Sequence, residues 1–188
     1  MDELLTSYGF KNFSHFKSGN ERYPVCLSVA TKDILLANMD EPILVLEDDV
    51  EITDILDFDM DMSADAIYFG FSICAGHPTL NKNTYYSKFE PYNDSQVRVM
   101  NMLGTHAILY ISKAYKEAII RDMDFSIQSG FHNDVVRSRN MPLYRILANK
   151  KPSFFQSSKF NLCGDPTKFD VELATKVQIA DGLKLLNF

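Results

Sequence analysis

Glu41-Pro42-Ile43-Leu44-Val45-Leu46-Glu47-Asp48-Asp49-Val50 is the stretch that decides the reading of this chain. Four consecutive apolar residues, Ile43 to Leu46, followed at once by three carboxylates, predict a buried central strand that ends at a polar edge. Three adjacent carboxylates repel one another and are comfortable only when solvated or neutralised. In an extended chain successive side chains alternate, so Glu47 and Asp49 share one side and Asp48 takes the other. Ligands of open α/β sheets bind outside the carboxyl ends of strands. Two carboxylates converging there suit a hard cation such as Mg²⁺ or Mn²⁺, which keeps positions free for substrate phosphates. The plainer alternative is a solvated acidic turn.

Working outward, short β-type runs alternate with helical patterns, which predicts an α/β fold with a mainly parallel central sheet flanked by helices. Before the acidic strand, residues Asp2 to Tyr8 read as a helix stopped by Gly9, and Asn12 to Phe16 as a strand. Pro24 opens a helix to about Asn38, with Val25, Val29 and Leu36 at roughly helical spacing. After the acidic strand come strand candidates at Asp65 to Phe71 and Thr105 to Ile111. Ser112 is placed to cap a helix from Lys113 to Arg121. Phe131 to Arg139 reads as a helix, Ser153 to Gln156 as a short strand, and Asp170 to Leu186 as an amphipathic closing helix. Residues 72 to 95, rich in Gly, Pro, Asn and Tyr, form a long excursion of the kind that carries binding function.

The chain's 188 residues fit one domain, 1 to 188. A net charge of −6 argues against a nucleic-acid partner, which calls for a basic patch. It leaves room for an anionic ligand whose charge a metal offsets. The three cysteines have neither metal-ligand spacing nor the even count of a disulfide framework. With no apolar signal core and no run near the roughly 20 residues that span a bilayer, the expectation is a cytoplasmic protein without an integral membrane segment.

Two rival motifs overlap the acidic region. Asp57, Asp59 and Asp61 alternate like a calcium-binding loop, but Met62 stands where Gly is needed and Tyr68 where a bidentate Glu belongs. Asp49-Val50-Glu51-Ile52-Thr53 is similar to the Asp-x-Asp-x-Thr of haloacid dehalogenase-type phosphohydrolases, with Glu51 replacing the second Asp.

The acidic motif is one of an ordered set. Glu47-Asp48-Asp49-Val50 resembles the Glu-Asp-Asp-Val segment of the lipooligosaccharide glycosyltransferases, glycosyltransferase family 25. Asp65 to Gly70 resembles the strand ending in Gly that follows it. Gly104 to Ser112 is similar to the family's Gly-x-x-x-Tyr-x-x-Ser unit. Phe131-His132-Asn133-Asp134 falls where the related fold has an acidic motif, and Pro152 to Gln156 resembles a late strand carrying a Gln. Where the family has a Ser-His pair before the acidic strand, this chain has Ser28-Val29.

The resemblance, over about residues 24 to 160, implies a GT-A (Rossmann-like) fold, here expected to lack its usual first strand. It implies metal-dependent, inverting transfer of a sugar from a nucleotide diphosphate donor, with a UDP-sugar expected, to a hydroxyl of a glycan or glycoconjugate. By position, Asp49 and Glu47 become the metal ligands, for Mn²⁺ or Mg²⁺, and Asp134 the base that takes the acceptor proton. Asp48 and His106 are assigned to the donor side, and His132, Tyr85 and Tyr86 to the acceptor side. From the residues alone, Asp134 reads first as a helix cap, and His106, with Ile108 and Tyr110 on its side of a strand, first as a core histidine. The second functional reading is a non-catalytic GT-A-like module for carbohydrate binding or assembly.

Overall fold

The computed structural model describes residues 2–17, 19–52, 60–72, 74–75 and 85–156. The helix expected at Asp170 to Leu186, the Asp57 and Asp59 of the rejected calcium loop, and Thr53 of the phosphohydrolase-like motif lie outside the described residues.

The chain opens with helix α1 (Asp2–Ser7), which Gly9 follows at a φ of 88°, a left-handed conformation that suits glycine. Asn12 to Phe16, expected as a strand, runs without regular structure: its apolar residues Phe13 and Phe16 stay exposed, and no strand among the described residues pairs with them. Helix α2 (Val25–Ala37) follows Pro24, and its last turn is closed by Asn38. Its core contribution is Leu35, fully buried, whereas Leu36 is half-exposed, one position out of the expected stripe.

Strands β1 (Ile43–Leu46), β2 (Val50–Ile52), β3 (Ala66–Tyr68), β4 (Cys74–Ala75), β5 (Tyr85–Tyr86), β6 (Lys88–Pro91), β7 (Gln96–Asn101) and β8 (Ala107–Tyr110) precede helix α3 (Lys113–Ser129). Helix α4 (Asn133–Ser138), a short 3-10 turn at Met141–Leu143, and strands β9 (Ile146–Asn149) and β10 (Phe154–Gln156) complete the described part. The architecture is α/β: six strands in the order β1-β8-β3-β9-β7-β6, flanked by helices.

The sheet is mixed and mostly antiparallel, which corrects the expectation of a mainly parallel one. Among the described strands of this sheet only β3 and β9 run parallel; β1 with β8, β8 with β3, β9 with β7 and β7 with β6 are antiparallel. Strand β1 is correspondingly an edge of the described sheet rather than its centre, and its four residues are half-buried. An apolar run reports burial but not the direction of its neighbours, so Ile43 to Leu46 reads the same in either setting.

Alternation along the strands sends side chains to two cores. Tyr68, Ile108, Tyr110 and Ile146 meet Leu35 of α2 and Tyr115, Ile119 and Met123 of α3 on one face. Ile67, Phe69, Leu109 and Leu147 meet Val50 and Phe154 on the other. Helix α3 starts as expected, with Ser112 Oγ accepting from Tyr115 N at 3.1 Å, but runs eight residues past Arg121, to Ser129. The first residue suited to stop it is Gly130, at a φ of 74°.

Two polar fixtures hold this frame. Asp65 Oδ1 accepts from Ser112 Oγ at 2.5 Å and Oδ2 from Arg145 N at 2.8 Å, joining the start of β3 to the starts of α3 and β9. Lys116, fully buried on α3, donates from Nζ to the carbonyl of Asn38 at 2.7 Å and to that of Glu41. Its ammonium thereby satisfies carbonyls at the end of α2 and fixes the loop that feeds β1. No described helix is long and apolar enough to cross a membrane.

Candidate functional site

The acidic segment occupies the end of β1. Glu47 N donates to the carbonyl of His106 at 3.0 Å, which carries the β1–β8 ladder one residue further. Asp48 and Asp49 then turn the chain into β2, which pairs antiparallel with β10, Val50 opposite Gln156. The three carboxylates are thus fixed at both ends, by the edge of the main sheet and by a small second sheet.

Their environments differ. Asp48 is exposed on the turn, whereas Glu47 and Asp49 are half-buried. Thr105 Oγ1 donates to Glu47 Oε1. Burial pushes the Glu47 carboxyl above the usual range; the Thr105 bond and the Arg137 guanidinium oppose that shift, and the charges of Asp49 and Asp134 add to it.

Asp134 reaches the same place from α4. The residue flanking the helix start is His132, which makes no side-chain cap, so Asp134 lies in the first turn and is not the N-cap. One of its oxygens accepts from Val135 N at 2.7 Å, and the other faces Gly104 N at 3.5 Å, in the loop leading to β8. A carboxylate in the first helical turn meets unpaired N–H groups there. Gly104 has a φ of 91°, and a Cβ on it would fall 3.2 Å from that of Ser72. The Gly104-Thr105 corner, which serves both Asp134 and Glu47, therefore favours glycine for its backbone as well as its space.

Arg137, three residues after Asp134 on the same helix, is 1% exposed. Its Nη1 donates to the Tyr110 hydroxyl at 2.6 Å, and its guanidinium carbon lies 5.7 Å from the centre of the Tyr110 ring. Nε and Nη2 make no hydrogen bond of good geometry. A buried cation behind a group of carboxylates offsets part of their mutual repulsion.

Tyr23 stands at the rim. Its hydroxyl lies 3.3 Å from His132 Nδ1, and the two rings meet edge-on with centroids 5.2 Å apart. Its hydroxyl is pushed above the usual tyrosine range by partial burial first, then by the charges of Asp134 and Glu47.

The structure therefore brings Asp49 and Asp134 each within electrostatic reach of Glu47, with His132 at the rim. His106 is elsewhere: it is 4% exposed, beneath the loop, and burial drives its pKa down to about 4. That placement is the core position weighed from sequence. Tyr85 and Tyr86 form β5, paired with Cys74 and Ala75 of β4; their side chains lie outside the described residues. Thr105, Arg137 and Tyr23 have no counterpart among the sequence-predicted site residues. Arg137 carried a usable signal, since three residues after Asp134 puts it on the same side of a helix.

Among the described residues, no group of three or more His, Cys, Asp or Glu side chains is arranged to hold a metal ion by itself. Glu47 and Asp49 lie half-buried two residues apart, close enough for the Asp49 charge to raise the Glu47 carboxyl. Comparison with family models, with curated proteins and with solved structures returns no match.

Proposed function

We propose that this chain is a GT-A-type, metal-dependent inverting glycosyltransferase. It would move a sugar from a nucleotide diphosphate donor, with UDP-sugar the first choice, to a hydroxyl of a glycan or glycoconjugate. The observation that carries the reading is the approach of two elements to one spot: Glu47 and Asp49 from the end of β1, and Asp134 from the first turn of α4.

In this reading Glu47 and Asp49 would hold Mn²⁺ or Mg²⁺. When bound, the ion supplies charge stabilisation as the leaving group becomes more negative. The protein's own part is positional. Thr105 orients Glu47, and the antiparallel pairing of β2 with β10 fixes the direction in which Asp49 leaves β1. Asp134 accepts the proton of the acceptor hydroxyl, a role that typically contributes about 10²–10⁴-fold in rate. The Arg137 guanidinium offsets part of the upward push that burial and the neighbouring charges give the Glu47 carboxyl. Asp48, exposed beside them, is free to meet the donor.

The non-catalytic reading has one observation in its favour: the lack of a self-sufficient metal cluster among the described residues. Thermal melting with UDP, with and without Mn²⁺, separates the two. A ligand bound only to the folded state raises the melting temperature. Metal-dependent stabilisation by UDP that Asp49→Ala abolishes, with the fold intact, supports the transferase. Equal stabilisation in parent and variant, or none in the parent, defeats it.

A further inference from the structure

Tyr23 is unusual in being both fixed and open. It is 67% exposed, yet its ring is braced edge-on by His132 and its hydroxyl is directed at the imidazole. Pro24, directly after it, flanks the start of α2 and anchors the chain there. A ring that exposed buries little apolar area on folding, so core packing does not explain why it is held in place. A rigid, exposed aromatic face is what a stacking surface needs, because little rotamer freedom is then lost on binding.

The neighbours define the ligand. Asp134 and Glu47 stand close enough to Tyr23 to perturb its hydroxyl, and both are hydrogen-bond acceptors when ionised. A partner for an aromatic face beside carboxylates must offer C–H surface on one side and hydroxyl donors on its edge, as a neutral pyranose ring does. An anionic ligand would meet the repulsion of Glu47, Asp49 and Asp134. A cation would be drawn by the same carboxylates, and the tetramethylammonium control below separates that ligand from the glycosides.

We propose that Tyr23, braced by His132, is the platform on which a pyranoside stacks, with a ring hydroxyl turned toward the Asp134 carboxylate. That the pyranoside is the acceptor of a transfer reaction rests on the glycosyltransferase reading; the platform itself follows from the geometry. Tyr23 acts as a specificity residue: it recognises the sugar face, and Asp134 meets the hydroxyl.

The test is binding, measured without turnover. The full chain, loaded with UDP and Mg²⁺, is titrated with methyl β-D-galactopyranoside and methyl β-D-glucopyranoside and followed by ¹H–¹⁵N chemical shifts and saturation transfer. Tetramethylammonium serves as the cationic control. At least one glycoside should shift Tyr23 and His132. Tyr23→Ala should weaken that binding about fivefold or more, while Tyr23→Phe, which keeps the face, stays within about threefold of the parent.

Unchanged glycoside affinity in Tyr23→Ala, no glycoside binding by the parent, or binding of tetramethylammonium in place of the glycosides overturns the platform. The melting shift with UDP and Mg²⁺ keeps the two ideas apart. If it persists while Tyr23→Ala leaves glycoside binding untouched, the platform falls and the transferase reading stands. If it is absent while glycosides bind through Tyr23, the platform stands and the transferase reading falls.

Discussion

Gly70 and His106 fit together with no room for one more carbon: a Cβ on Gly70 would lie 2.0 Å from His106 Nε2. The imidazole has little space to yield. Its other nitrogen faces Gly104, whose Cβ position is 3.6 Å away, and the residue is 4% exposed. Gly70 also bridges to Phe154, next to the strand that supports the acidic turn. The contact thus ties the floor of the loop to the β2–β10 sheet.

Gly70→Ala is therefore expected to overpack the core at His106 and to cost about 1–3 kcal/mol. Urea unfolding checks the value. Gly9→Ala makes a useful comparison, since nothing lies within 4 Å of a Cβ there and only the positive φ opposes it.

The same burial makes a prediction about acid. His106 is held neutral, with its pKa pushed down to about 4 from an ordinary 6.5. Between those values the unfolded chain binds a proton that the folded one refuses, so stability falls as pH drops from about 6.5 toward 4. The full effect is on the order of 3 kcal/mol. Urea midpoints at pH 7.0 and 5.0 read the upper part of this window, above the range where most carboxylates titrate. His106→Gln should flatten the slope, and a slope unchanged in that variant would assign it to other groups.

Lys116→Met keeps the length of the side chain and removes its ammonium. The carbonyls of Asn38 and Glu41 then lose their donor. A loss of about 1–3 kcal/mol is expected for leaving such groups unsatisfied. Hydrogen exchange should show the loosening first in the loop between α2 and β1. Protection unchanged at residues 38 to 42 would contradict the role given to Lys116.

Asp134→Asn tests the chemical step. Asn keeps the size of the side chain but does not accept a proton as a carboxylate does. If Asp134 is the base, UDP affinity hardly changes while transfer falls by roughly two or more orders of magnitude. The melting temperature should remain near the parent's, because in this structure His132, not Asp134, flanks the start of α4. Near-normal transfer by the variant removes Asp134 from the chemistry.

What the sequence determined by itself was local. Ile43 to Leu46 read as a strand, Ser112 as the start of a helix, and Glu47-Asp48-Asp49 as the polar stop after the strand. Period-two alternation, side-chain capping and the acidic stop are written in neighbouring residues. Strand β7 and strand β9 were harder to see, because Gln96, Arg98 and Asn149 dilute their apolar pattern; the buried side chains of Gln96 and Asn149 bond each other across the pair at 2.9 Å. The tertiary structure alone decided that the sheet is mostly antiparallel, since strand direction depends on how connections cross rather than on any residue within a strand. It also decided the company each site residue keeps. Asp134 meets the Gly104 corner across 30 positions of sequence, and Tyr23 meets His132 across 109. Such meetings depend on how α4 and the loop before α2 pack over the end of β1, and long-range packing of that kind leaves no periodic mark in the chain that produces it.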